Sequence, residues 1–245
     1  MYDLVIKNGR VLTGQGEFTG DVAISGETIA ALGTDLSGRT EVNAAGKLVI
    51  PGGIDGHVHM RTERKSFCYD ETFATGSVAA AFGGTTTIID QIQVEPGETL
   101  GGSLDARMRT AEGQSCVDFA FHMNIREELD ERLAEIDAIM DRGITSFKWF
   151  MAIPGWGVSD EFLMRGMWET SDRGALSVIH AENRGSLAAM RRRSAQRGEH
   201  SMERFTDNYP APTEAAAIEL AMAMTEVTGG RTLIFHNTCA QGVAA

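Results

Sequence analysis

Cysteine is scarce in this chain: Cys68, Cys116 and Cys239 are the three in 245 residues. They are odd in number, widely spaced and outside any CxxC pair. That argues against a disulfide framework and fits a reducing, cytoplasmic compartment. Basic residues are also short, 22 against 34 acidic, for a formal charge of -12. This argues against nucleic acid or an anionic membrane surface as the main partner. No apolar run approaches the roughly 20 residues that span a bilayer. The opening "MYDLVIKNGRVL" alternates like a strand and lacks the basic-then-apolar plan of a secretion signal. There is no low-complexity segment. What remains is 42% hydrophobic and 23% charged, ordinary for one large globular domain with a small appendage.

Residues 1–50 hold short alternating runs broken by glycines, which predict a small antiparallel β unit with hairpins. At "IPGG" the character changes. From residue 51 onward "IDGHVHM", "TTTIID", "VDFAFHM", "ITSFKWFM", "LSVIHA" and "TLIFHN" read as strands separated by amphipathic helices. One helix is expected over residues 126–141, with Leu129, Leu133, Ile136 and Met140 on one face and Gly143 just past its end. Another is expected after Pro212 with Thr213 as its N-cap. Strand–helix alternation predicts a parallel sheet. The first strand-to-helix turn lacks the GxGxxG of a dinucleotide fold, so a TIM-type (β/α)8 barrel is favoured, with about six strands before Ala245.

His57 and His59 are two apart on a strand, so both rings point to one side, with Gly53 and Asp55. Ile54, Val58 and Met60 face the other way. Inward histidines at that spacing can chelate a metal as neutral nitrogen ligands, though a lone HxH is more often two hydrogen-bonded core or surface histidines. His180 and His236 each end a strongly apolar run, at the end of a barrel strand where such folds do their chemistry. His122 also lies near a strand end and reads as a supporting group; His200 reads as a solvated loop residue. Lys148 sits inside "SFKWF", where an ammonium is costly to desolvate. A desolvated amine can lose its proton and take up carbon dioxide as a carbamate, an anionic group able to bridge two metal ions. The alternative is an ion pair with a buried carboxylate such as Asp90 or Glu182.

Together "PGGIDGHVHM", "AAAFGGTTTIID", "VEPGETL", "SFKWFMA", "HAEN" and the His236 strand resemble the dihydropyrimidinases and hydantoinases, cyclic amidohydrolases of the amidohydrolase superfamily. The resemblance implies that His57 and His59 bind a more buried metal and His180 and His236 a more exposed one. Lys148, as N6-carboxylysine, would bridge both. It also implies a hydroxide shared by the two ions as nucleophile, its pKa lowered toward about 7. Zinc is the default for imidazole-rich sites, with manganese or cobalt as alternatives. Phe67, Phe150, Ile153 and Trp156 fall on loops that frame the ring substituent in that family. The implied substrate is a small cyclic amide, and the implied assembly a dimer or tetramer of the full-length protein.

Three departures qualify the resemblance. Ile153 stands where the family has a tyrosine that donates to the developing oxyanion; losing one such donor commonly costs about 10²–10³ in rate. Arg61, two residues after His59, resembles the dihydroorotases, where an arginine holds the substrate carboxylate; the other reading is a surface-loop arginine. The family's general acid/base aspartate lies on an eighth strand, beyond residue 245. Asp55 and Asp90 lie on inner strands but close to the expected ligands. Residues 1–245 alone are therefore expected not to catalyse. Two further functions stay open: a dihydroorotase- or allantoinase-like enzyme, and a non-catalytic dihydropyrimidinase-related scaffold. In outline, residues 1–50 are expected to form part of a small β-sandwich and residues 51–245 an incomplete metal-binding barrel.

Overall fold

The computed structural model describes residues 1–61, 70–199 and 201–245. It divides into two compact units, Met1–Gly53 and Ile54–Ala245.

The first unit is a five-stranded sheet of β1 (Tyr2–Thr13), β2 (Gly16–Ser25), β3 (Thr28–Gly33), β4 (Gly38–Asn43) and β5 (Leu48–Val49). The hairpins β1–β2 and β2–β3 are antiparallel. The expectation of a wholly antiparallel unit is corrected at β4 and β5, which both run parallel to β1. A short crossover after β3 makes this possible. The buried carboxylate of Asp21 accepts the N–H groups of Asn8 (2.8 Å) and Leu36 (3.0 Å) and pairs with Lys7 at 3.2 Å. The Lys7 amine in turn donates to the Leu36 carbonyl at 2.6 Å. Asn8 adopts φ +60° where the β1–β2 register shifts, a conformation its short polar side chain tolerates.

The second unit carries six strands: β6 (Gly53–Val58), β7 (Thr85–Ile92), β8 (Asp118–Asn124), β9 (Ser146–Phe150), β10 (Leu176–His180) and β11 (Arg231–Ile234). They lie in the order β11-β10-β9-β8-β7-β6, and the registers from β7 to β11 are parallel. The intervening helices are α1 (Phe73–Phe82), α2 (Leu100–Ala111), α3 (Asp130–Ala134), α4 (Ile136–Met140), α5 (Asp160–Asp172), α6 (Arg184–Gln196), α7 (Ala211–Thr228) and α8 (Ala240–Ala244), with a 3-10 turn at Met202–Asn208. Side-chain caps start several of them: Thr72, Thr99, Ser159 and Asn183 each accept an N–H from the first turn, worth about 1 kcal/mol apiece.

Each strand presents one face to the helices. Ile88, Ile92, Phe121, Met123, Phe147, Trp149 and Ile179 share a core with Phe73, Leu104, Phe162 and Ile218, each large side chain contributing about 1.5–3 kcal/mol. Gly166 lets α5 settle on Trp149, since a Cβ there would lie 2.3 Å from the indole. Strand alternation then puts Gln91, His122, Asn124, Lys148 and His180 on the opposite face. Of the residues read as facing the helices near β6, Met60 joins the core and Val58 packs against it, whereas Ile54 is exposed.

Two helix readings are corrected. Residues 126–141 do not form one helix. The chain is extended through Leu129, which caps α3, and a break at Glu135 separates α3 from α4. Glu127 and Glu135 turn inward to hold Arg132 and the N–H groups of Gly97 and Leu100, a tertiary demand that periodicity does not register. α7 starts at Ala211 with Pro210 as N-cap, and Thr213 lies inside it. A proline is tolerated in the first turn, where its missing N–H is not needed.

Candidate metal centre

The carboxyl ends of the strands bring four imidazoles and one amine together. His57 is the penultimate residue of β6, one before Val58, with its own N–H on the Asp55 carboxylate at 3.1 Å. The Nε2 atoms of His57 and His59 lie 3.3 Å apart. The His236 ring is 5.4 Å from His57 and 4.5 Å from His180, between centroids. Burial pushes the pKa of His57 down to about 3 and that of His236 down to about 4, and the nearby Lys148 adds to both. Both rings are therefore neutral at pH 7, the form that ligates a metal. His180 Nε2 lies 2.6 Å from the Glu182 carboxylate.

Lys148 is 1% exposed, and its Nζ has no hydrogen-bond partner among the described residues. The carboxylates weighed as partners are engaged elsewhere. Glu182 is with His180. Asp90 accepts the Met60 N–H (2.8 Å) and Arg107 Nε (2.6 Å). Asp90 thus faces the helices, correcting its placement near the expected ligands, and burial pushes its pKa up against the opposing Arg107 charge. The surroundings of Lys148 are aromatic: Nζ is 3.9 Å from the Phe235 centroid and 5.2 Å from that of Phe150. Desolvation lowers its pKa to about 7, so a substantial neutral fraction exists at neutral pH.

The five residues converge on a common region, but the Phe235 ring stacks on His57 at 4.0 Å and occupies part of the space between them. Among the described residues no three His, Cys, Asp or Glu side chains stand in metal-holding geometry. The donor set nonetheless fits a metal: His57 and His236 are held neutral, and the buried Lys148 amine has no hydrogen-bond partner among the described residues. His122 bridges two elements, with Nδ1 2.6 Å from Ser146 Oγ and Nε2 3.0 Å from the Gly56 carbonyl.

The loop after β9 carries the substrate-facing candidates. Trp156 is buried and lies edge-on to Phe150 at 5.3 Å, and Phe150 is 5.5 Å from His180. Ile153 adopts φ +58°, a left-handed conformation that is strained for a β-branched side chain. Arg61 is exposed beyond β6 with φ +37° and lines a cavity with Gln91, Glu95 and Arg107. Phe67 and His200 lie outside the described residues.

One residue escaped the sequence reading. The sequence pattern predicts a helix from residue 126, but the chain at Arg126 stays extended: the Ile125 N–H bonds the Lys148 carbonyl at 3.0 Å. The period-2 series His122, Asn124, Arg126 therefore continues on the inner face. That series was the available signal. The Arg126 guanidinium lies over the Trp156 ring at 4.3 Å.

Comparison with known proteins agrees with this fold. Residues 48–240 match the amidohydrolase family. The D-hydantoinase of Streptomyces coelicolor is 36% identical over 98% of this chain and 53% of its own length. The allantoinase of Rubrobacter xylanophilus is 33% identical over 99% of this chain and 55% of its own. The solved dihydropyrimidinase of Brevibacillus agri superposes with a TM-score of 0.93 at 32% identity, over 98% of this chain and 53% of that one. The chain spans about half the length of the curated relatives it matches, and its six parallel strands are the corresponding part of a TIM-type barrel. With its strand order and its sequence in agreement, the chain belongs to the amidohydrolase family.

Proposed function

We propose that the full-length protein opens small cyclic amides, of the dihydropyrimidine or hydantoin class, by metal-dependent hydrolysis. His57, His59, His180 and His236 would hold two divalent ions, zinc by default, and carboxylated Lys148 would join them. The observation that carries this reading is the buried Lys148 amine, without a hydrogen-bond partner among the described residues and with a pKa of about 7, near His57 and His236, which burial keeps neutral. The neutral amine would add carbon dioxide and lose one proton to give a carbamate anion, a group able to ligate divalent ions. When bound, such a metal pair activates water and polarises a ring carbonyl. The protein's own part is to exclude water and orient the ring. Phe150 and Trp156 form an apolar wall beside His180, and Ile153 offers no donor to an oxyanion. Arg61 remains a candidate substrate contact at the rim.

Similarity to an allantoinase at 33% identity supports allantoin as a second substrate class. A scaffold without catalysis is opposed by the presence of all five metal-site residues. The remaining features are proposed on composition and resemblance. The protein would be cytoplasmic, with Cys116 and Cys239 as free thiols, and a homo-oligomer. Residues 1–50 would belong to a small β-sandwich and residues 51–245 to the barrel. No helix among the described residues is long and apolar enough to cross a membrane. The test is to assay the zinc-loaded full-length protein against hydantoin, dihydrouracil, allantoin and dihydroorotate. Ring opening of at least one, abolished by His57→Ala, is expected. No turnover of any of the four would contradict the proposal.

A further inference from the structure

Resting on the reading of this site as a cyclic-amide pocket, we propose that Arg126 is a specificity-determining residue that selects ring substrates carrying a carboxylate substituent. Four observations support it. Arg126 extends the inner-face series of β8, one step beyond Asn124, at the same end of the sheet as the histidines. Its side chain is 7% exposed, although arginine rarely goes inside without full pairing. Among the described residues its Nε and Nη2 make no hydrogen bond. A run of ring contacts, His180 to Phe150 to Trp156 to the guanidinium, links the charge to the candidate metal centre.

The nearest carboxylate, Glu95, comes within 2.7 Å of Nη2, but its side chain is 59% exposed and the approach lacks hydrogen-bond alignment. A mostly solvated partner of this kind contributes little and gives way easily. The planar fork of an arginine matches a carboxylate with two parallel hydrogen bonds. A ring substituent ending in a carboxylate would satisfy the donors that Glu95 leaves open, while Trp156 holds the guanidinium flat. The alternative is an arginine that only props Trp156, and it predicts no dependence on the charge of the substrate.

Equilibrium binding to the zinc-loaded full-length protein separates the two, using hydantoin-5-propionate and the uncharged 5-propylhydantoin as probes. The acid is expected to bind about 10- to 100-fold more tightly, the range for hydrogen bonds to a charged partner. Arg126→Gln should erase that preference and leave 5-propylhydantoin unchanged. Glu95→Gln, which removes the competing carboxylate from an exposed position, should tighten the acid alone, and it decides the matter if Arg126→Gln does not fold. Equal affinities in the wild type, a preference that survives Arg126→Gln, or no tightening in Glu95→Gln would each overturn the assignment. Because the readout is binding, loss of turnover without loss of the preference would sink the hydrolase reading and leave this one standing.

Discussion

A lysine held at 1% exposure with no hydrogen-bond partner among the described residues costs the fold stability unless another group uses the amine. Lys148→Met keeps the length of the side chain and removes the desolvated nitrogen. The metal-free protein should therefore gain about 1–3 kcal/mol in chemical denaturation; a loss of that size would mean that Lys148 is a structural partner. Ile153 is the second residue out of keeping with its place. A β-branched residue at φ +58° is strained, so Ile153→Gly is expected to raise the unfolding free energy by about 1 kcal/mol. Ile153→Tyr places a hydroxyl donor at this position. It should raise turnover of dihydrouracil or a 5-substituted hydantoin in the full-length protein. A flat or lower rate would mean that the oxyanion is stabilised from elsewhere.

Among the elements, the crossover from β3 to β4 depends on one carboxylate. Hydrogen bonding from the Asn8 N–H, with help from Lys7 and Leu36, holds the Asp21 pKa below its ordinary 3.8. The folded state thus prefers the ionised form, so this stabilisation is present above that value and is lost as pH falls through the lower folded pKa. Asp21→Asn should lower the melting temperature at pH 7 and flatten the acid limb of the stability curve for the first unit. An unaltered acid limb would remove Asp21 from that role. The parallel pairing of β4 was not legible in the sequence for the same reason. Hairpin signals are local, whereas this strand is placed by contacts between Lys7, Asp21 and Leu36, far apart in the chain. The split of α3 from α4 was hidden likewise. The spacing of Leu133, Ile136 and Met140 is helical, but the glutamates of that stretch are committed to other segments.

At the scale of the molecule, the six barrel strands were legible because each is a short apolar run bounded by glycine or polar residues. Their strand-end histidines followed from the alternation rule. The pairing state of Lys148 was not legible, since only coordinates reveal that Asp90 turns to Arg107 and Glu182 to His180. Arg126 was missed because a charged residue after a strand looks like the start of the next helix. The position of Phe235 was missed too. Its ring stacks on His57 and its centroid lies 3.9 Å from the Lys148 amine, among the five residues. The central claim is that these five act as one centre built around Lys148. It is tested most directly by titrating cobalt or zinc into the metal-free protein in bicarbonate buffer and measuring bound metal per chain. Two ions per chain are expected for the wild type and a sharp reduction for Lys148→Met. Identical stoichiometry in the two proteins would contradict the account.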